Sequence, residues 1–225
     1  MKRNWRSADA YDDIVGSKSF AREFLKRNQD HGTIYPTSED DVSATVPDLP
    51  VSGTVQALLE FGGSLGDVRS TLDKAVAMFC DGQEVRLVTR SSDFRTAPGG
   101  ITDQPPFVNR ALAVDTTLKP RALLERALRI EALFGRQRAR EQRWEPSVLD
   151  VDIIAYGDLE LDEDGLTLPH PGLLECPFVL APLAEIAPDR KIRGVTIKEA
   201  LARLDAGSVE KLPPRQLLTD KVKGA

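Results

Sequence analysis

The order of its apolar segments is the feature that most constrains the fold of this 225-residue chain. Beyond an acidic stretch with several prolines, segments with strand and helix periodicity follow in the order β-α-β-β-α-β, and two further helical segments come after them. A split unit of this kind forms a four-stranded antiparallel sheet with helices packed on it. The sequence therefore predicts an α+β, ferredoxin-like fold with two appended C-terminal helices.

The periodicity also predicts where the elements and domains lie. Strands are expected at 55–61, 85–94, 108–114 and 149–156, and helices at 68–79, 120–133, 178–186 and 197–204. The proposed organisation is a small helical segment at 1–35, an acidic linker with prolines at 36–53, the main domain at 54–210 and a flexible tail at 211–225.

Composition excludes several classes of protein. Cys80 and Cys176 are the only cysteines, so neither a disulfide scaffold nor a four-cysteine zinc site is possible. There is no secretory signal and no apolar run of the ~18 residues that span a bilayer, so we expect a cytoplasmic protein without membrane contact. The net charge of -5 argues against a broad nucleic-acid surface, although a local basic patch in residues 1–35 stays open.

Asp150 and Asp152 are the first candidates for chemistry. They stand two apart in a predicted strand, and their apolar neighbours imply that the other face of this strand is buried. Paired carboxylates suit Mg²⁺ that is held jointly by protein and phosphate oxygens. The alternative is a solvated acidic pair, which is the more common meaning of an isolated Asp-x-Asp.

Other candidates lie around this pair in the sequence. The arginine-rich segment 135–143 could clamp phosphates, and Trp144 beside it could stack on an aromatic ring or simply pack. His170 stands between two prolines and could donate to a phosphate. The glycine-rich turn 62–66 could hold phosphate through backbone N–H groups, and Phe107 with Asn109 could bind a flat heterocycle. Taken singly, each has an ordinary structural explanation.

Taken together, these motifs resemble the 6-hydroxymethyl-7,8-dihydropterin pyrophosphokinase family over roughly residues 54–210. The resemblance rests on the following segments, in chain order: Gly62–Asp67, Phe94–Pro98, Asp103–Pro105, Phe107, Asn109, Glu131, Gly135–Arg138, Arg143–Pro146, Leu149–Asp152, Leu168–Pro171, Phe178–Leu180, Pro182–Leu183 and Glu185–Pro188. A shorter segment, with Asn4–Ser7, Ala10–Tyr11, Phe24–Leu25 and Arg27–Asn28, resembles the short N-terminal domain of some bacterial regulator-like proteins over about 30 residues.

The family resemblance implies an activity and a set of site residues. The activity is transfer of pyrophosphate from ATP to the pterin hydroxymethyl group, which releases AMP. Asp150 and Asp152 would hold two Mg²⁺ ions. The residues implied on the ATP side are Glu131, Arg136, Arg138, Trp144 and His170, with Arg136 and His170 on the phosphates. The residues implied on the pterin side are Thr96, Pro98, Asn109 and Phe178.

The chain also departs from the family pattern. Serine stands at 147 and cysteine at 176 where the family usually has arginine. The other departures are Ser64 for asparagine, Gly99 for a large apolar residue and Glu145 for glycine. Two phosphate-facing cations are thus missing, and we expect the metal and pterin sites to persist with weakened turnover. Two alternatives follow: a degenerate relative that binds nucleotide or pterin without efficient transfer, and a regulatory fusion whose residues 1–35 bind DNA or a partner.

Overall fold

The computed structural model describes residues 53–96, 104–136 and 146–215. The predicted N-terminal segment and most of the predicted linker lie outside these residues. Across the three described ranges, no helix combines the length and apolar character needed to cross a membrane.

The described elements follow the predicted order and add short hairpins. They are β1 (Val55–Gly63), α1 (Val68–Phe79), β2 (Val85–Arg90), β3 (Phe94–Thr96), β4 (Phe107–Thr116), α2 (Pro120–Leu133), β5 (Asp150–Tyr156), β6 (Leu161–Glu163), β7 (Leu166–Leu168), a 3₁₀ turn (Leu173–Glu175), α3 (Pro177–Ile186), β8 (Lys191–Ile192), β9 (Val195–Thr196), α4 (Ile197–Ala202) and β10 (Val209–Lys211). The boundary that we expected at residue 211 thus falls within β10.

The helices begin where local chemistry favours a start. The Asp67 side chain accepts a hydrogen bond from the Ser70 N–H and so caps α1, and Pro120 occupies the first turn of α2. Thr196 and Glu199 form a reciprocal capping box at the start of α4. These signals are local, which is why the sequence located the helices well.

The main sheet has six strands rather than the four predicted. Its order is β10-β3-β4-β1-β5, and β2 also pairs with β4; all these pairs are antiparallel. The expected single strand at 85–94 is divided at residues 91–93. There Ser91 exchanges hydrogen bonds with Ala111, which holds the break against β4. β10 then adds one strand beside β3. The α+β, ferredoxin-like class is confirmed, because β5-β1-β4 and the divided strand have that order.

Helices cover both faces of the sheet. Helices α1 and α2 pack on the first face, where Phe61 and Phe79 meet edge to face with ring centroids 5.4 Å apart. Helices α3 and α4 pack on the second face over Leu58, Ala113 and their neighbours. Past this second core, the second face carries polar side chains on β1, β4 and β5. This polar region contains the candidate site.

Candidate active site

The two aspartates of β5 share the second face of the sheet. Across the β1–β5 ladder, Asp150 is opposite Gly62 and Asp152 is opposite Glu60. Val151, between them, is fully buried in the first core. The alternation expected from the sequence therefore holds, and both carboxylates face the polar region.

Glu60 is a third acid at this place, and the sequence analysis missed it. Its side chain shares the face of Asp152, only 6% of the residue is exposed, and its Oε1 accepts no hydrogen bond from any described residue. Burial raises the pKa of Glu60 well above its usual value, and the charges of Asp152 and Asp150 raise it further. The signal available in the sequence was a lone acid inside an apolar strand, between Leu59 and Phe61.

Asn109 lies over the backbone of β1. It pairs with Gly62, and a methyl group built on Gly62 would come within 2.4 Å of the Asn109 Oδ1. The residue is buried on its strand, with 5% exposed. Only glycine leaves room for this amide. Asn109 and Asp150 therefore flank Gly62, one on each neighbouring strand.

Arg136 and Glu131 position the start of β5, which carries Asp150 and Asp152. Glu131 is fully buried and accepts hydrogen bonds from the Val151 N–H at 2.8 Å and from the Arg136 Nη1 at 3.1 Å. The same nitrogen donates to the Leu149 carbonyl oxygen at 3.2 Å and to the Asp150 carboxylate. Glu131 therefore positions β5 and the guanidinium from inside the fold, and Arg136 neutralises part of the charge on Asp150.

His170 is fixed at the end of β7 by its backbone. Its N–H donates to the Ile154 carbonyl oxygen at 2.9 Å, and its Nδ1 accepts from the Gly172 N–H at 3.3 Å. An Nδ1 that accepts leaves Nε2 as the protonated nitrogen of the neutral ring. The half-buried ring thus has the correct tautomer to donate to an anion.

The remaining predicted site residues divide into two groups. Phe178 is the second residue of α3, which packs against β4 and β3, and its ring is half-buried beside the second core. Thr96 ends β3 opposite Phe107. The other three, Pro98, Arg138 and Trp144, lie outside the described residues.

Two departures from the family pattern contact each other. The Ser147 N–H donates to the Ser64 hydroxyl at 3.2 Å, and the Ser147 carbonyl oxygen accepts from the N–H groups of Ser64 and Leu65 at 2.8 and 3.2 Å. Both serines are buried: 6% of Ser64 and 3% of Ser147 is exposed. The expected phosphate-binding turn therefore uses these two N–H groups within the protein, to anchor the residues that precede β5.

The donor chemistry of the site fits a hard cation. Asp150 and Asp152 present carboxylate oxygens on one face, which is the ligand type that Mg²⁺ prefers. In the three described ranges, no group of three or more histidine, cysteine or acidic side chains has the arrangement of a metal site. A cation here would take two protein carboxylates and complete its shell from water or substrate oxygens.

Comparisons of the sequence with known proteins find relatives in one family. The sequence model described as 7,8-dihydro-6-hydroxymethylpterin-pyrophosphokinase (HPPK) matches residues 58–188. A Methylorubrum extorquens protein named 2-amino-4-hydroxy-6-hydroxymethyldihydropteridine pyrophosphokinase is 46% identical over 157 residues, which are 70% of this chain and 98% of that relative. A Pseudomonas aeruginosa protein of the same name is 39% identical over 153 residues, which are 68% of this chain and 93% of the relative.

Solved structures share the fold at low sequence identity. A crystal structure of HPPK-DHPS in complex with substrates has a TM-score of 0.56 at 12% identity, over 71% of this chain and 47% of that chain. A Plasmodium falciparum HPPK-DHPS triple mutant with pteroate has a TM-score of 0.51 at 13% identity, over 67% and 43%. This chain thus spans less than half of either solved chain. With the sequence matches, these findings show that the chain belongs to the 7,8-dihydro-6-hydroxymethylpterin-pyrophosphokinase family.

Proposed function

We propose that this chain transfers pyrophosphate from ATP to the hydroxymethyl group of 6-hydroxymethyl-7,8-dihydropterin and releases AMP, a step of folate biosynthesis. One observation carries the proposal: Asp150 and Asp152 share a face with Asn109, across the bare backbone of Gly62. Two carboxylates of the kind that bind Mg²⁺ and an amide suited to a heterocycle therefore lie side by side in a chain of this family.

Asp150 and Asp152 are the residues that would hold Mg²⁺, in our proposal two ions. When bound, the cation neutralises phosphate charge and orients the reacting oxygens. Arg136 contributes a fixed positive charge beside Asp150, and Glu131 keeps the guanidinium in place. His170 presents its Nε2–H to a phosphate oxygen.

On the pterin side, Asn109 binds the polar edge of the ring and Phe178 stacks on its face. The family resemblance adds Thr96 and Pro98 to the proposed pterin-binding residues and Arg138 and Trp144 to the proposed ATP-binding residues. The pterin hydroxyl then attacks the β-phosphorus in line: the new O–P bond forms and the hydroxyl proton is released to solvent, while the bond from the β-phosphorus to the α,β-bridging oxygen breaks and AMP leaves. The protein acts mainly by positioning and by charge neutralisation.

The test is AMP formation from Mg-ATP with and without the pterin, on the full chain. We expect pterin-dependent AMP, and we expect Asp150→Asn and Asp152→Asn each to lower kcat at least about 100-fold, since each removes a charge from the cation site. Asp158→Asn is the matched control, because this carboxylate is 92% exposed and its ion pair is with Arg190.

Two outcomes would contradict the proposal. One is a folded parent chain that forms no AMP in the presence of pterin, which would favour the degenerate relative. The other is unchanged activity in both aspartate variants. A rate below about 1 s⁻¹ in the parent would agree with the expected cost of serine at 147 and cysteine at 176. The regulatory alternative predicts salt-dependent binding of DNA by the full chain, which a mobility-shift assay measures.

A further inference from the structure

Glu60 is the strongest feature of the site that the proposed reaction does not use. A carboxyl group that is 94% removed from solvent normally has hydrogen-bond partners, because an unsatisfied buried oxygen costs stability. The Glu60 Oε1 has none among the described residues, although the residue itself is only 6% exposed. A protein retains an unsatisfied buried group of this kind where the group contacts a bound ligand.

The neighbours of Glu60 indicate where its carboxyl group lies. Across β1 it stands between Ala111 on β4 and Asp152 on β5. One step along the same face are Gly62 and the Asn109 amide that lies over it. Glu60 is thus between the amide proposed for the heterocycle and the carboxylate proposed for the cation.

The described structure gives no support for joint coordination of a metal by Glu60, Asp150 and Asp152. In the described part of the chain, no three acidic, histidine or cysteine side chains are arranged as a metal site. A group that can hydrogen-bond and lies beside Asn109 on the polar region of the sheet suits instead the polar edge of a flat nitrogen heterocycle, where donors and acceptors are adjacent.

We propose that Glu60 is a substrate-binding and specificity-determining residue, whose buried carboxyl group hydrogen-bonds the polar edge of the pterin between Asn109 and the Asp150–Asp152 pair. This inference rests on the proposed function. A site built to satisfy a buried carboxyl group discriminates strongly against ligands that leave it unpaired.

The test compares binding and stability in Glu60→Leu with those in the parent. Pterin binding is measured calorimetrically with Mg²⁺ and a non-hydrolysable ATP analogue present, and binding of the analogue with Mg²⁺ is measured alone. We expect pterin affinity to fall about ten-fold and nucleotide affinity to change less than about two-fold. We also expect the melting temperature to rise by a few degrees, since the unsatisfied buried oxygen is gone.

The control is Gln56→Leu, which makes an apolar change on the same strand and face. Gln56 is exposed and pairs with Asp115, so pterin affinity should be unchanged. Glu60→Gln keeps a hydrogen-bonding group and should lose less affinity, about three-fold. It also decides the question if Glu60→Leu does not fold.

Three results would overturn the inference. They are pterin affinity in Glu60→Leu equal to that of the parent, an equal loss of nucleotide and pterin affinity, or, where only Glu60→Gln folds, no change in that variant. The second result would mean that Glu60 acts on the cation through Asp152. Each differs from failure of the proposed function, which would appear as absence of pterin-dependent AMP formation in the parent chain.

Discussion

Ser147 shows how a residue at a position usually occupied by a charge can be part of the protein interior. Its N–H and its carbonyl oxygen both bond to the turn that contains Ser64, and 3% of it is exposed. These bonds hold the chain just ahead of Asp150. These contacts use the backbone of Ser147, but its side chain lies in a buried position where a much larger arginine would displace neighbours, and a buried guanidinium needs hydrogen-bond partners.

We therefore expect Ser147→Arg to destabilise the protein rather than to repair it. Overpacking and an uncompensated charge should lower the free energy of unfolding by about 2 kcal/mol. The measurement is urea unfolding, together with kcat for AMP formation. Ser208→Arg, on an exposed turn, should be neutral. A variant that gains turnover about ten-fold with unchanged stability would contradict this expectation.

Among the single elements, β1 contributes residues both to the hydrophobic core and to the candidate site. Its first face supplies Ala57, Leu59 and Phe61 to the first core. Its second face supplies Glu60 and the bare surface of Gly62 to the site. Adjacent residues of β1 thus belong alternately to the hydrophobic core and to the site. Because Gly62 lies on the site face, we expect a change at Gly62 to affect the site more than the core.

Gly62→Ala tests this division. The new methyl group would lie 2.4 Å from the Asn109 Oδ1, so the amide must move. We expect the KM for the pterin to rise about ten-fold and the KM for ATP to change little, because the displaced group binds only the heterocycle. Steady-state kinetics measure both constants. Gly207→Ala is the control, since its new methyl would meet only the flexible Asp205 side chain. Equal effects on both constants would count against this role of Asn109.

Sequence reasoning performed well where the signal was local. Pro120, the Asp67 cap and the apolar spacing located the helices, and the two-residue period was enough to place Asp150 and Asp152 on one face. These features depend on neighbours within a few residues. Short stretches of the sequence are therefore enough to predict them.

Features that depend on distant partners could not be predicted in this way. The break between β2 and β3 is held by Ala111 on another strand, and β10 pairs with residues more than a hundred positions earlier. The place of Glu60 beside Asp152 required the β1–β5 register, and the Ser64–Ser147 contact required the fold. The roles of Asn109 and His170 were suggested by residue chemistry and made specific by the family resemblance, which alone supplied the role of Phe178, and all three stay predictions.

At the scale of the whole molecule, a buried charge network ties the C-terminal segment to the sheet. The Asp93 carboxylate accepts from the Arg110 Nε at 2.7 Å and from the Arg69 Nε at 2.6 Å. Arg69 also donates to the Pro213 carbonyl oxygen, and the Leu212 N–H donates to the backbone oxygen of Asp93. Asp93 therefore joins α1, β4, the strand break and the segment after β10.

This network should give the stability of the protein a defined pH dependence. Burial alone would raise the pKa of Asp93, but the hydrogen bonds and charges of Arg110 and Arg69 outweigh it and hold the pKa below its usual value. A carboxylate with a lowered folded-state pKa stabilises the protein above its unfolded pKa of about 3.9, and the stabilisation is lost as the pH falls through the folded pKa.

Asp93→Asn should therefore lower the free energy of unfolding by about 2 kcal/mol at neutral pH, because the buried Arg110 loses its buried charge partner and keeps Asp73, whose side chain is 44% exposed. Urea unfolding at a series of pH values gives the difference between parent and variant. We expect it to be constant above about pH 5 and to shrink below about pH 4, where the parent also loses the charge. Asp189→Asn, which removes an exposed ion pair with Lys198, should leave the stability nearly unchanged. A difference that persists unchanged at low pH would mean that Asp93 acts through packing rather than through its charge.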